Sequence, residues 1–207
     1  MMVETPHGPA RVHLHRADGA HATLVLGHGA GGGVTAPDLV AATEAALAEG
    51  VSVALVEQPY RVAGRRSPAP ARQLDAAWIA VVEHLASELP LVVGGRSLGA
   101  RVACRTVAET GAIAVLCLAF PLHPPGRPEA SRLAELDAVT LPVLVVQGER
   151  DPFGIPPEGP GRTVVRVPGD HGLKADLASV TQAVRTWLRS IASSSSATTK
   201  PSGPGRP

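Results

Sequence analysis

The sequence predicts a three-layer α/β fold, in which helices cover both faces of a mostly parallel β-sheet. Short apolar runs alternate along the chain with longer amphipathic segments, as βαβ units require. The apolar runs are rich in Val and Leu and nearly continuous, which is typical of strands buried on both faces. The chain has 207 residues, a length that suits one domain of this class.

The predicted strands follow the apolar runs. An alternating stretch at 12–15 precedes an Asp-Gly turn at 18–19 and predicts an edge strand that enters the sheet by a hairpin. Continuous runs then predict the buried strands, which lie at 23–26, 51–55, 91–93, 113–119 and 143–146, and a late strand is expected at 163–167.

The amphipathic segments predict four helices, at 37–49, 71–89, 98–110 and 176–191. The first begins near Pro37 and Asp38 and stops at Gly50, residues that favour a helix start and a helix end. In the second helix, apolar side chains recur every three or four residues and form one buried stripe: Leu74, Trp78, Val81, Leu85 and Leu89.

Residues 1–192 are predicted to form a single domain, and residues 193–207 a disordered tail. The tail is rich in Ser, Thr, Pro and Gly and lacks large apolar side chains. It cannot bury enough surface to offset the entropy lost on ordering.

Composition excludes several classes of function. With 19 Lys and Arg against 18 Asp and Glu, the net charge of +1 gives no electrostatic reason to expect nucleic acid as a partner. Aromatic residues make up only 2% of the chain, too few for stacking on single-stranded bases. No apolar run is long enough for a membrane span, and the first residues do not resemble a secretory signal.

We therefore expect a cytoplasmic protein without a membrane partner. Cys104 and Cys117 lie inside apolar stretches and lack the spacing of metal ligands, so we expect buried free thiols. The sequence predicts no metal and no cofactor.

The most informative motif is Gly-Arg-Ser-Leu-Gly at 95–99, between a predicted buried strand and a predicted helix. A sharp strand-to-helix turn lifts a serine hydroxyl above the sheet and places it at a helix N-terminus, where backbone N–H groups can meet an oxyanion. This context predicts Ser97 as a nucleophile, whereas the pattern alone is also compatible with a structural turn.

A serine nucleophile needs a base and a carboxylate that orients the base. Asp151 and His171 follow late predicted strands, in the chain order Ser, Asp, His. Glu149 and Asp170 are alternative carboxylates; Glu149 lies nearer the strand end, and Asp170 is adjacent to His171 in the chain. Asp151, which precedes a proline, could instead serve only as a turn residue.

The glycine-rich segment at 28–33 follows the first buried strand and predicts one half of an oxyanion hole. The N–H groups of Leu98 and Ala30 are the expected donors, with Gly29 or Gly31 as alternatives to Ala30. A phosphate-binding loop is the competing interpretation, but no Gly-Lys-Ser/Thr follows. His28 is a candidate substrate contact or a residue packed under the loop.

These motifs resemble those of the α/β-hydrolases. More narrowly, the segments 94–101, 120–126 and 146–154 resemble a small hydrolase-like family that includes bacterial hydrolases and the subunit-three proteins of the non-specific lethal chromatin complex. A more distant similarity is to the dienelactone hydrolases, which use cysteine where this chain has Ser97. The resemblance implies an α/β-hydrolase fold with Ser97, Asp151 and His171 as its triad.

The resemblance also implies a reduced version of that fold. The segment before Leu24 is short for the early strands, so we expect a trimmed N-terminal part of the sheet. The segment between Phe120 and Leu141, where larger relatives insert a helical cap, is also short, so we expect no cap domain and an open, shallow pocket.

The predicted function is a serine hydrolase that cleaves an ester or related acyl bond in a small molecule. The alternative is a non-catalytic binding or scaffold protein that has kept the fold, and acyl transfer would use the same acyl-enzyme. Arg96 is either a solvated or salt-bridged surface residue or a candidate contact for an acidic substrate group. The sequence assigns neither an oligomeric state nor roles to Arg65, Arg66 and Arg101.

Overall fold

The structure is a computed structural model that describes residues 1–197, with side chains as far as Ser193. Within these residues, eight strands form one sheet: β1 Met2–Val3, β2 Ala10–His15, β3 Ala22–Gly27, β4 Val51–Glu57, β5 Leu91–Arg96, β6 Ala114–Leu118, β7 Val143–Gly148 and β8 Arg162–Val167. The same residues form six helices: α1 Pro37–Ala48, α2 Pro59–Val62, α3 Ala71–Leu85, α4 Leu98–Thr110, α5 Leu133–Asp137 and α6 Leu177–Ala197.

The sheet has the strand order β1-β2-β4-β3-β5-β6-β7-β8. The six strands from β3 to β8 are parallel to one another, and the two antiparallel pairings are β1 with β2 and β2 with β4. All central strands therefore end at one edge of the sheet, which we call the carboxyl edge and where functional sites of open α/β sheets lie. The opposite edge is the amino edge.

The N-terminal strands differ from the predicted hairpin. β2 pairs with β4 and not with β3, and β1 covers its outer edge. The chain turns at Gly19, whose φ is 61°, but then passes to the far side of β4, because β3 is flanked by the two parallel strands β4 and β5. The sheet was expected to be reduced at the N-terminus, and the short strand there is β1, which has 2 residues.

The core lies on both faces of the sheet. Leu24 and Leu26 pack on the face covered by α1 and α6, whereas Val25, between them in β3, packs on the face covered by α3 and α4. Successive side chains of a strand point to opposite faces, so a strand buried on both sides must be apolar throughout. The three-layer fold is confirmed, and Cys104 and Cys117 are buried free thiols, as expected.

Two helix ends differ from the sequence prediction. α3 ends at Leu85, not 89, because Pro90 disfavours helical backbone at Leu89 and the Ser87 hydroxyl accepts the Leu89 N–H at 3.3 Å. α6 continues to Ala197, so the tail predicted from Ser193 begins inside a helix. The remaining residues of that tail, 198–207, lie outside the described residues.

The segment that joins β6 to β7 contains only the five-residue helix α5, so no cap domain covers the carboxyl edge. Among residues 1–197, no helix combines the length and the apolar character that crossing a bilayer requires.

Candidate active site

Ser97 occupies a strained turn between β5 and α4. Its φ of 52° and ψ of −107° are unusual for a residue with a side chain, and such conformations cost roughly 1–3 kcal/mol. The Ser97 N–H donates to the carbonyl of Leu118 at 2.9 Å, which ties the turn to the end of β6. A Cβ on Gly95 would lie 2.5 Å from the Gly27 oxygen, and one on Gly99 would also overlap the Gly27 backbone. The two motif glycines thus allow the end of β3 to approach.

Ser97, His171 and Asp151 form one hydrogen-bonded chain. His171 Nε2 lies 2.9 Å from Ser97 Oγ, and His171 Nδ1 lies 2.8 Å from Asp151 Oδ2. The Asp151 side chain is 0% exposed and that of His171 is 17% exposed. When Nδ1 carries the imidazole proton and donates it to the carboxylate, Nε2 is free to accept the serine proton. The structure therefore brings together the three residues that the sequence selected.

The alternative carboxylates lie elsewhere. Glu149 is exposed, and its N–H donates to the Val167 carbonyl at 2.9 Å. Asp170 is also exposed, and its Oδ1 accepts the Gly172 N–H at 2.8 Å. In the described part of the chain, neither carboxylate hydrogen-bonds the His171 ring, so Asp151 is the partner that the geometry selects.

Asp151 is held by a residue that the sequence analysis missed. Gln147, fully buried in β7, donates through Nε2 to Asp151 Oδ2 at 2.7 Å and also contacts the carbonyls of Phe120 and Gly154. The Phe153 N–H donates to Asp151 Oδ1 at 2.9 Å. These bonds stabilise the charged carboxylate where it accepts from His171. A polar residue in an otherwise apolar strand was the signal for Gln147.

A second missed contact involves the ring of Phe153. Its centroid lies 4.2 Å from that of the His171 imidazole, at an interplanar angle of 40°. The packing restricts rotation of the imidazole between Ser97 and Asp151.

The glycine-rich segment lies beside Ser97. A Cβ on Gly29 would lie 3.6 Å from the Ser97 Cβ, and the Ala30 carbonyl accepts the Tyr60 hydroxyl at 2.9 Å. Burial raises the pKa of Tyr60 to about 12, so the hydroxyl remains protonated at neutral pH. Within residues 1–197, no protein group accepts a hydrogen bond from the N–H groups of Ala30 and Leu98, which are the two donors expected to bind an oxyanion.

His28 is 2% exposed and lies beneath this segment. Its Nδ1 lies 2.7 Å from the Gly29 carbonyl, and its Nε2 accepts the Gln58 N–H at 3.1 Å. Burial lowers the pKa of His28, which favours the neutral ring. This position fits packing under the loop and does not expose the ring to a substrate.

The arginines named from the sequence occupy different environments. Arg96 donates to the His171 carbonyl at 3.1 Å and lies 2.8 Å from Asp38, so its guanidinium is engaged by the protein and not presented to a substrate. Arg101 makes two hydrogen bonds to Glu135. Two further arginines are exposed: Arg65 and Arg66.

A family model described as alpha/beta hydrolase domain matches residues 20–198. No curated protein matches the chain by sequence.

Solved structures share the fold at low sequence identity. Est1E from Butyrivibrio proteoclasticus is 17% identical with a TM-score of 0.77, over 93% of this chain and 98% of that chain. A serine hydrolase without a lid from Xanthomonas campestris is 21% identical with a TM-score of 0.73, over 92% and 93% of the two chains. Dienelactone hydrolase from Anabaena variabilis is 17% identical with a TM-score of 0.71, over 92% and 95%. The family model and these structures do not support the narrower resemblance to the chromatin-complex subunits, which stays a prediction.

Proposed function

Because the chain belongs to the alpha/beta hydrolase domain family, we propose that it is a serine hydrolase that cleaves an ester or related acyl bond in a small molecule. The observation that carries the proposal is the hydrogen-bonded chain from Ser97 through His171 to Asp151, with distances of 2.9 and 2.8 Å. A serine hydroxyl is a weak nucleophile, and this arrangement is the one that activates it.

The reaction begins when His171 Nε2 removes the Ser97 proton as Oγ attacks the acyl carbon. Asp151 holds the imidazole in the required tautomer and stabilises its charged form. The N–H groups of Leu98 and Ala30 donate to the oxyanion of the tetrahedral intermediate. His171 then gives its proton to the leaving alcohol, and an acyl-enzyme remains on Ser97.

Hydrolysis of the acyl-enzyme repeats these steps with water. His171 removes a proton from the water molecule as its oxygen attacks the acyl carbon, and then returns a proton to Ser97 Oγ. The free acid leaves and the original state of the site is restored.

The open carboxyl edge supports small or surface-presented esters as substrates. The β6–β7 connection carries only the five-residue α5, so little protein lies above Ser97 to enclose a long acyl chain. The chain also has only 2 Phe, 2 Trp and 1 Tyr, and both Trp78 and Tyr60 are buried in the core, which leaves few aromatic side chains to line a pocket.

The proposal is tested by labelling the folded protein with a fluorophosphonate, which reacts with activated serines. The wild type should label and should hydrolyse p-nitrophenyl acetate, whereas Ser97→Ala should do neither. Ser179→Ala is the matched control, because Ser179 donates its hydroxyl to Asp176 at 2.7 Å, and this variant should label like the wild type.

A folded wild type that neither labels nor hydrolyses esters would contradict the proposal and favour the scaffold alternative. Acceleration of acyl release by added alcohols, with the alkyl ester as product, would identify transfer as the reaction of the same acyl-enzyme.

A further inference from the structure

The guanidinium of Arg96 touches three segments that meet at Ser97. Its Nε lies 2.8 Å from Asp38 Oδ2 and forms an ion pair with that carboxylate. The Nε–H bond does not point at Oδ2 closely enough for a hydrogen bond. Its Nη2 donates to the His171 carbonyl at 3.1 Å. Its Nη1 lies against Gly29, where an added Cβ would be 2.8 Å away. One side chain thus contacts the start of α1, the loop that carries His171 and the glycine-rich segment.

We propose that Arg96, held by Asp38, is a positioning residue that sets the His171 loop and the Gly29 segment in place around Ser97. The inference rests on the proposed hydrolase function, because it assigns Arg96 to the alignment of that site. Arg96 acts through the backbone of His171 and does not touch the reacting atoms.

Asp38 provides a rigid anchor for this arrangement. Its side chain is 0% exposed, and its Oδ1 accepts the Leu39 N–H at 3.0 Å in the first turn of α1. Burial raises the pKa of Asp38, and the charge of Arg96 opposes that rise by favouring the carboxylate. Because α1 packs against both the sheet and α6, the carboxylate is fixed to the core.

The planar shape of the arginine side chain explains why this residue type suits the position. Its nitrogens form a rigid fork, so placing Nε beside Asp38 also fixes the positions of Nη1 and Nη2. A lysine would carry the same charge on a single nitrogen and could not serve Asp38 and the His171 carbonyl with the same geometry.

The loop that carries His171 needs such a tie. Leu173 has a φ of 49° and Gly169 a φ of 119°, so the backbone on both sides of the histidine lies in conformations that L-residues seldom adopt. The Arg96 bond fixes the backbone of His171 itself, between these two residues. A shift of about 1 Å in a catalytic group can lower a rate by about 100-fold.

The test compares two neutralised ion pairs. Arg96→Gln with Asp38→Asn removes both charges together and leaves no unpaired buried charge. Arg105→Gln with Asp75→Asn is the matched control, because the side chains of Arg96 and Arg105 are both 18% exposed. Arg105 pairs with Asp75 between α4 and α3 and does not contact His171. Each protein is assayed for melting temperature, kcat and KM on p-nitrophenyl acetate, and the rate of fluorophosphonate labelling.

The Arg96/Asp38 variant should lose about 10- to 100-fold in kcat and in labelling rate, with KM changed less than about twofold, while the control pair retains wild-type rates. Arg96→Lys should also lose at least about tenfold in kcat. Wild-type kcat in the Arg96/Asp38 variant, or full activity in Arg96→Lys, would overturn the inference. So would equal losses of kcat and melting temperature in both pairs.

The outcomes also separate this inference from the proposed function. If the wild type shows no Ser97-dependent labelling, the hydrolase proposal fails. If the wild type labels normally and the Arg96/Asp38 variant labels equally fast, only the positioning role fails.

Discussion

The two edges of the sheet differ in the polar groups that they bury. At the amino edge, two grooves of about 460 and 290 Å³ share Thr23, Leu85 and Leu89 among their lining residues. At the carboxyl edge, polar side chains are buried just beyond the strand ends, among them His28, Gln58, Asp151 and, from α1, Asp38.

Backbone strain follows the same division. In residues 1–197, three residues other than glycine have a positive φ, and all three come after strand ends at the carboxyl edge: Ser97, Ala119 and Leu173. Strained backbone and buried polar groups both cost free energy, and they persist where the surrounding structure fixes them. The comparison teaches that convergent polar groups, and not the volume of a groove, locate the chemistry of this protein.

The largest effect that would test this comparison is expected at Asp151. Asp151→Asn keeps the size of the side chain but can no longer impose the same imidazole tautomer, so kcat should fall by about 10⁴-fold. Ester hydrolysis measures this loss. Glu149→Gln and Asp170→Asn are the controls, and a comparable loss in either one would mean that the orienting carboxylate has been misassigned.

A smaller effect is expected one step farther from the serine, at Gln147. Gln147→Leu removes the donor to Asp151 Oδ2 and leaves the carbonyls of Phe120 and Gly154 without that amide. The kcat should therefore fall by up to about 100-fold and the stability by about 1–3 kcal/mol. Gln182→Leu, the same change on α6, should alter neither quantity. Kinetics and urea unfolding measure the two effects; unchanged kcat in Gln147→Leu would show that Asp151 does not need this bond.

At the amino edge, we expect the ion pairs of Glu49 to affect the stability of the protein and not the activity of the candidate site. Arg189 and Arg185 lower the pKa of Glu49 to about 2, from an ordinary value of 4.5. Because the pKa is lower in the folded state, the ion pairs stabilise the protein above about pH 4.5, and this contribution is lost as the pH falls towards 2. Melting temperatures across this range measure the loss.

Glu49→Gln provides the matched control for that experiment. This variant should flatten the acid dependence of the melting temperature and leave kcat at neutral pH unchanged. An unchanged acid dependence would show that the pairs with Arg185 and Arg189 contribute nothing measurable.

The smallest effect is expected from a substitution in the amino-edge grooves. Leu89 is 37% exposed and lines both amino-edge grooves. Leu89→Ser should leave kcat/KM within about twofold, since exposed substitutions seldom exceed about 0.5 kcal/mol. A strong loss of ester hydrolysis in this variant would break the comparison, because it would place substrate binding at the amino edge.

Much of the fold could be predicted because its signals are local. Continuous Val- and Leu-rich runs marked the five strands from β3 to β7, and a glycine after α1 marked the end of that helix. The partner of β2 could not be predicted, because its alternating pattern specifies a half-buried strand and not which neighbour it pairs with. The end of α3 was missed because the apolar stripe continues to Leu89, although Pro90 opposes a helix there.

The principal site residues could also be found in the sequence. Ser97, Asp151 and His171 each follow a strand in the expected order, and parallel strands end at a common edge. The roles of the supporting residues could not be predicted, since these roles depend on contacts between distant segments; a polar residue in an apolar strand marks Gln147 but does not reveal its partner. Arg96 and Asp38 are distant in the chain. Their sequence context indicates a surface residue or substrate contact and a helix start, respectively, but folding places them 2.8 Å apart.

The sequence by itself therefore determined the layered α/β architecture, the strained serine turn and the identity of the three residues joined to it. These features depend on the spacing of apolar residues, on glycine at crowded positions and on the order of the motifs along the chain. Only the tertiary structure decided the partner of β2, the burial of His28, the support of Asp151 by Gln147 and the link from Asp38 through Arg96 to His171. Those features depend on short-range contacts between distant segments, and such contacts exist only once the core has packed.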